Sequence, residues 1–235
     1  QMILKSPVTN NVFAGGLAGS IEFEENDADF SKNTILNSPG GSSNDRLSIY
    51  SDGGYDFDQA IDFSNNLFSG NSSGYYLEHS TSSDGQSLIT TTQNNIINND
   101  GFYVKAGTGE NSSVENNYWG TTTAAEIQDL IYDWNEDATL GFLDYDPYLT
   151  APSTTAPVSQ PKNVVKQSAS GGILLTWDAN PESDVTGYKV YYGTYSGYSF
   201  ASSVNAGNVT TYALSGASLS DTIAVTTYDS GVDGT

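Results

Sequence analysis

One short pattern recurs five times in the first 120 residues, and it constrains the fold more than any other feature of the chain. The pattern is apolar-x-x-Asn-x-apolar. Its asparagines are spaced by 22, 33, 29 and 22 residues: Asn11, Asn33, Asn66, Asn95 and Asn117. A fixed unit with insertions of varying length is typical of a solenoid, in which each repeat buries its neighbour. We therefore expect a stacked β fold.

The residue types predict a strand that leads into a sharp bend. Asn tolerates left-handed backbone angles and its amide bonds main-chain groups, so stacked repeats would form a ladder of asparagines. Side chains alternate along a strand, which predicts one internal column two positions after each asparagine: Phe13, Ile35, Phe68, Ile97 and Trp119. A second strand per repeat is predicted at 20–23, 47–50, 74–77 and 102–104.

After the last repeat, the sequence predicts a helix. Thr123 and Glu126 have the spacing of a capping box, and four apolar residues follow helical spacing: Ile127, Leu130, Ile131 and Trp134. Stacked strands leave unpaired edges at each end, and this helix would cover one of them. The other end has no comparable cap, so we expect further repeats upstream of residue 1.

These repeats resemble the right-handed parallel β-helix of secreted bacterial proteins, a group that includes polysaccharide lyases, glycoside hydrolases and adhesin-like proteins. Residues 116–121 read Asn-Asn-Tyr-Trp-Gly-Thr, and residues 143–149 read Leu-Asp-Tyr-Asp-Pro-Tyr-Leu. With the predicted helix between them, they are similar to the terminal segment of many β-helix proteins. The resemblance implies that residues 1–149 are the C-terminal rungs and capping helix of a β-helix.

Residues 150–161 form a Pro/Ser/Thr-rich stretch typical of a linker, and residues 162–235 have the alternating pattern of a β-sandwich. The runs 175–193, 211–214 and 223–229 resemble strands of bacterial fibronectin type III domains, which implies that Trp177 is the core tryptophan. Asp221 stands where that family often has a corner tyrosine. The seventh strand is missing, and either lies beyond the chain or is donated by another subunit. The predicted fold class is therefore all-β.

Charge excludes some partners. Twenty-eight acidic residues against seven basic ones give a formal charge of −21, which repels nucleic acid and anionic membrane surfaces. The chain has no cysteine, so disulfides and thiolate chemistry are impossible. No apolar run is long enough for membrane insertion.

A catalytic site is not evident in the sequence. A polysaccharide lyase needs a base and cationic groups on one face, but the basic residues of the repeats share no motif: Lys5, Lys32, Arg46, Lys105 and His79. The carboxylate motifs of polygalacturonase-type hydrolases and the Gly-x-Ser-x-Gly elbow are also missing. We interpret these basic residues as scattered surface charge.

Two other groups of residues are candidates for ligand binding. Calcium prefers oxygen ligands on loops. Two acidic clusters could supply them: Glu22, Glu24, Glu25, Asp27 and Asp29, and separately Asp52, Asp56 and Asp58. Three tyrosines are candidates for stacking against sugar rings: Tyr75, Tyr76 and Tyr103. Solvated acid and half-buried strand tyrosines are the alternative readings.

The sequence leaves two functional hypotheses open. The first is a non-catalytic, secreted bacterial protein at the cell surface, such as a stalk, adhesin or filament subunit, with carbohydrate binding or self-association through exposed β edges. The second is the C-terminal part of a secreted polysaccharide lyase or glycoside hydrolase whose catalytic rungs lie upstream. Fold alone does not separate them.

Overall fold

The chain is all-β, as the sequence predicts, with one short helix in the part of the chain that the structure describes. The structure is a computed structural model, and it describes residues 2–4, 7–14, 21–23, 28–36, 48–51, 61–70, 75–79, 89–97, 102–108, 111–197 and 199–230. The chain divides into two compact units, Gln1–Pro157 (unit 1) and Val158–Asp233 (unit 2). No helix among the described residues is long and apolar enough to cross a bilayer.

Unit 1 is built from strands of two to five residues. In chain order these are β1 (Met2–Leu4), β2 (Val12–Ala14), β3 (Ile21–Phe23), β4 (Ala28–Asp29), β5 (Thr34–Leu36), β6 (Ser48–Ser51), β7 (Ile61–Asp62), β8 (Leu67–Ser69), β9 (Tyr75–His79), β10 (Ile89–Thr90), β11 (Asn95–Ile97), β12 (Phe102–Ala106), β13 (Ser112–Ser113), β14 (Ile131–Tyr132) and β15 (Leu143–Asp144). The second strand predicted in each repeat is confirmed, and these strands are β3, β6, β9 and β12.

Strands from successive repeats pair in parallel. The first sheet has the order β1-β3-β6-β9-β12-β14, the second β10-β7-β4 and the third β11-β8-β5-β2. A further parallel pair joins β13 to β15. Neighbours within a sheet are one repeat apart in sequence, so the chain visits the sheets in turn and returns to the first one a repeat later.

A ladder of asparagines joins five repeats just before the strands of the third sheet. The backbone N–H of each member donates to the side-chain Oδ1 of the next, at 3.0, 2.9, 2.7 and 2.9 Å along the series Asn11, Asn33, Asn66, Asn94 and Asn117. The side-chain Nδ2 donates to a backbone carbonyl of the preceding repeat; for example, Asn66 Nδ2 donates to Phe30 O at 2.9 Å. The predicted ladder is present because these bonds satisfy main-chain groups that a bend would otherwise leave unpaired.

The fourth member of the ladder is Asn94, so the prediction of Asn95 is wrong. Asn95 pairs with Leu67 between β11 and β8, which sets Asn94 beside Asn66. The side chain of Asn95 bonds the backbone of Ser153 instead, with Ser153 N–H donating to Oδ1 at 2.7 Å and Nδ2 donating to Ser153 O at 3.0 Å. Both asparagines are buried, but they hold different parts of the unit.

The left-handed residue of each bend precedes the ladder asparagine. Its φ lies between 57° and 59° in all five repeats: Asn10, Lys32, Asn65, Gln93 and Asn116. The prediction that the ladder asparagine itself has this angle is wrong by one residue. A left-handed angle costs a non-glycine residue roughly 1–2 kcal/mol. Lys32 and Gln93 adopt it because the bonds of the following asparagine hold the bend.

One hydrophobic core runs through unit 1. The predicted internal column is buried at Ile35, Phe68 and Trp119, and Phe13 packs against the same core. In the fourth repeat, Ile96 takes the place in this core that was predicted for Ile97, because that repeat is shifted by one residue. A stack of rings joins the first repeats, with centroids 5.8 Å apart from Phe13 to Phe30 and 5.2 Å from Phe30 to Phe63.

The predicted capping helix is much shorter than its apolar pattern. Helix α1 spans Ala124–Gln128, and Ile131 lies in β14, which pairs with β12 at the edge of the first sheet. By pairing with β12, strand β14 satisfies backbone groups of β12 that would stay unpaired if this segment were helical. Ile127 and Ile131 are nevertheless buried in the core. The capping box is also not formed. Thr123 makes no side-chain cap bond, and Glu126 accepts from the hydroxyl of Thr121.

The first half of the predicted linker is bonded to unit 1. Ser153 is held by Asn95, and its hydroxyl donates to Gln93 Oε1 at 2.9 Å. Thr155 donates its hydroxyl to Asn65 Oδ1, and Ala156 is fully buried. The boundary between the two units, after Pro157, falls within residues 150–161.

Unit 2 consists of two antiparallel sheets around a second core. Its strands are β16 (Val165–Ala169), β17 (Gly172–Thr176), β18 (Gly187–Ser196), β19 (Ser199–Gly207), β20 (Thr211–Ser215) and β21 (Ala224–Tyr228). The sheet orders are β16-β17-β20 and β19-β18-β21. Trp177 lies in the core, with its ring centroid 5.3 Å from that of Tyr188.

Side-chain hydrogen bonds stabilise two loop regions of unit 2. Buried Glu182 accepts from the backbone N–H of Ser159 at 2.9 Å and from its hydroxyl at 3.1 Å. Asp221, at the position of the expected corner tyrosine, accepts from the backbone N–H of Ser218 at 2.8 Å. Lys166 Nζ donates to Asp221 O at 2.8 Å, so a lysine and an aspartate brace this loop.

Candidate functional site

The residues predicted to bind calcium lie almost entirely outside the described residues. Asp52, Asp56, Asp58, Glu24, Glu25 and Asp27 all do so. Glu22 is in β3, where its backbone pairs with Tyr50 of β6. Asp29 ends β4 and pairs with Asp62 of β7. Among the residues that the structure describes, no three acidic or histidine side chains are grouped to hold a metal ion.

The three tyrosines predicted to stack on sugars lie on neighbouring strands of the first sheet. Tyr76 of β9 is the register partner of Tyr103 in β12, and Tyr75 is the partner of Phe102. The structure thus brings Tyr76 and Tyr103 together at the level of the backbone.

Unit 1 contains a cleft that was not predicted from the sequence. The cleft has a volume of about 420 Å³. Its polar lining comes from Asn111, Gln128, Asp133, Asn135 and Asp144, and its apolar lining from Phe142, Leu143 and Tyr145. This volume falls within the ~300–1,000 Å³ range of small-molecule sites, which are lined by apolar side chains with a few polar groups among them.

Buried Asp133 holds the loop that forms one wall of the cleft. Its Oδ1 accepts from the backbone N–H of Asn135 at 3.0 Å, and its Oδ2 accepts from that of Leu143 at 3.1 Å. Asn111 also lines the cleft, and its Oδ1 accepts from the backbone N–H of Phe142 at 2.9 Å. The backbone that carries the aromatic residue is therefore bonded on both sides.

Two aromatic rings stand out at this loop. Phe142 is 43% exposed and Trp134 is 47% exposed, and their ring centroids lie 5.0 Å apart. The prediction that Trp134 lies on the buried face of a helix is wrong, because the helix ends at Gln128. The sequence signal for an exposed ring here is a tryptophan in the acidic and polar stretch Asp-Trp-Asn-Glu-Asp, residues 133–137.

Gln128, at the end of α1, supplies a polar atom with no protein partner. Its Nε2 is buried and makes no hydrogen bond within the described part of the chain. A buried donor left unpaired costs roughly 1–3 kcal/mol. Gln128 as a whole is half-buried and lines the cleft, so rotation of its side chain would bring this donor to a ligand.

A second cavity, also of about 420 Å³, lies on the sheet β19-β18-β21 of unit 2. It is lined by Tyr191 and Phe200 together with small residues such as Ser203, Ala224 and Thr226. Lys189 Nζ lies 5.2 Å from the ring centroid of Tyr191. Unlike the cleft of unit 1, the described lining of this cavity contains no carboxylate or amide side chain.

Among the described residues, three carboxyl groups have a pKa shifted from its ordinary value, and none of the three is in the lining given for either cavity. Burial raises the pKa of Asp184, and the neighbouring Asp229 carboxylate contributes to the rise. Backbone N–H donors lower the pKa of the other two, Thr139 acting on Asp137 and Ser218 on Asp221. Asp137 and Asp221 therefore stabilise the loops that contain them.

Comparisons of the chain with protein-family models, with curated proteins and with solved structures give no match.

Proposed function

We propose that the chain is part of a secreted, extracellular protein with a structural or adhesive role at the bacterial cell surface. In this proposal unit 1 is a right-handed parallel β-helix and unit 2 is a fibronectin type III-like domain. Unit 1 acts as a stiff spacer that presents a surface to glycans.

The asparagine ladder carries this proposal. Four backbone-to-side-chain bonds of 2.7–3.0 Å join five repeats in series, and four of the five asparagines are buried. Parallel pairing of every repeat with the next adds main-chain bonds along the same axis. Such cross-linking favours a rod that transmits force, because bending it would break buried hydrogen bonds.

Glycan binding is supported by the cleft in unit 1. Amide, carboxylate and aromatic side chains meet there on a braced backbone. Amides and carboxylates pair with hydroxyl groups, and aromatic rings cover the apolar faces of sugars.

The test is retention of the full chain on insoluble polysaccharides, combined with a search for cleavage. We expect protein to sediment with at least one polysaccharide and to release neither reducing ends nor unsaturated uronate products. Cleavage at rates above the buffer blank would favour the lyase or hydrolase hypothesis. Absence of retention on every polysaccharide would refute the adhesive role.

A further inference from the structure

The cleft of unit 1 combines three features that suit a hydroxyl-rich ring. Phe142 offers an exposed aromatic surface, Gln128 a donor and Asp144 an exposed acceptor. A sugar ring has an apolar face and an edge of hydroxyl groups, each of which donates and accepts. The lining therefore matches both parts of a sugar.

The aromatic wall is held in place before any ligand arrives. The backbone N–H of Phe142 donates to Asn111 at 2.9 Å, and its carbonyl accepts from Ser112 N–H at 2.9 Å. Trp134 packs on the ring, and Trp134 N–H donates to Gly141 O at 3.0 Å. A preorganised wall costs little conformational entropy on binding, which favours recognition of a small ligand.

Gln128 supplies the hydrogen-bond donor. Its Nε2 is buried and has no acceptor among the described residues, although the residue is half-buried and lines the cleft. Rotation of the side chain towards a hydroxyl oxygen in the cleft would give this desolvated donor a hydrogen bond. Burial of this atom adds nothing to the unliganded fold. Binding is what would recover the lost hydrogen bond.

The negative charge of the cleft favours neutral sugars over uronates. Among the described residues that line the cleft, Asp133 and Asp144 are acidic and none is a lysine or arginine, and the chain carries a net charge of −21. A uronate carboxylate would meet like charge there, whereas a neutral hexose or pentose would not.

We propose that this cleft binds a sugar ring of a neutral polysaccharide. The ring stacks on Phe142, one hydroxyl oxygen accepts from Gln128 Nε2, and one hydroxyl donates to Asp144. This inference rests on the proposed adhesive function and names the ligand class and the place where it binds.

The experiment titrates the full chain with hexasaccharides of glucose, xylose and mannose, and with hexagalacturonate, by calorimetry and tryptophan fluorescence. Trp134 is the reporter, because Trp119 and Trp177 are buried. We expect at least one neutral hexasaccharide to bind and to shift the emission, and hexagalacturonate to bind at least roughly tenfold more weakly. Binding of the uronate alone, or of no hexasaccharide, would overturn the proposal.

Two variants test the site itself. Phe142→Ala should weaken binding roughly tenfold. Gln128→Met, which keeps the length of the side chain, should weaken binding roughly fivefold while leaving the melting temperature unchanged or higher, because it removes an unpaired donor. A purely structural role of Gln128 would instead lower the melting temperature and leave the affinity unchanged.

The matched control is Tyr195→Ala, which removes an aromatic residue of similar exposure, 51%, from unit 2. It should bind as the unchanged protein does. Loss of binding in this control, with Phe142→Ala unaffected, would move the site to unit 2 and overturn the proposal. If Phe142→Ala protein still sediments fully with the polysaccharide, the cleft is refuted while the adhesive function stands. If the unchanged protein does not sediment, both fail.

Discussion

Replacement of Asn66 by alanine tests whether the asparagine ladder stabilises the repeats. Asn66 is completely buried and sits in the middle of the series. Its Oδ1 accepts from the backbone N–H of Asn33 at 2.9 Å, and its Nδ2 donates to Phe30 O at 2.9 Å and to Ser64 O at 3.1 Å. Its Nδ2 also donates to Asn94 Oδ1 at 3.1 Å, so Asn66→Ala removes four bonds at once.

The magnitude follows from the groups that lose a partner. A buried group whose partner is removed costs about 1–3 kcal/mol, so the backbone groups of Asn33 and Phe30 together contribute about 2–6 kcal/mol. We expect Asn66→Ala to lower the free energy of unfolding by about 4 kcal/mol, which is a large part of the stability of an ordinary domain.

The control is Asn11→Ala at the exposed end of the same ladder. Its side chain donates to Thr9 O at 3.0 Å and to Asn33 Oδ1 at 3.2 Å, where water can replace the lost bonds. We expect a cost below about 1 kcal/mol. Urea unfolding followed by circular dichroism measures both variants, and hydrogen exchange locates the change at the amide of Asn33. Equal costs for the two variants would refute the ladder as a stabilising element.

Three further predictions concern other parts of the chain. Asn95→Ala should expose the segment around Ser153 to proteases and leave exchange at the ladder amides unchanged, as limited proteolysis and hydrogen exchange would show. Gly172→Ala should destabilise unit 2 by about 3 kcal/mol, since a Cβ there would lie 2.2 Å from Leu214 O; exchange in unit 1 should not change. Asp184→Asn should raise the melting temperature at pH 7, because burial raises the pKa of this carboxyl and folding then disfavours its charged form. This gain should shrink below pH 3.8, where the aspartate is protonated in both states, and a gain that persisted there would contradict the argument.

The repeat pattern accounts for much of the observed fold because each rung repeats the same local physics. A bend with an asparagine, followed by an apolar residue that points inwards, can be recognised in the sequence of each repeat. From this motif the strands of the first and third sheets were predicted. Helix α1 shows the limit of such reading. The apolar residues do have helical spacing, but Ile131 pairs with β12 as a strand instead. Local spacing does not reveal that a strand edge is available to compete with the helix.

The cleft could not have been predicted from spacing. Asn111, Gln128 and Phe142 are far apart in sequence and share no motif, and they meet only because β15 returns beside β13. Trp134 is exposed because helix α1 ends at Gln128, although its spacing is that of a core residue.

By itself, the sequence determined the β class, the repeat, the inward column and the presence of a ladder, since all of these depend on residue type at short range. It did not determine the register of the fourth repeat. Residues 91–97 read Thr-Thr-Gln-Asn-Asn-Ile-Ile, so the template fits equally well around Asn94 and Asn95. Only stacking on Asn66 and Asn117 decided for Asn94, because a ladder bond requires the donor and acceptor of adjacent repeats to lie at the same level.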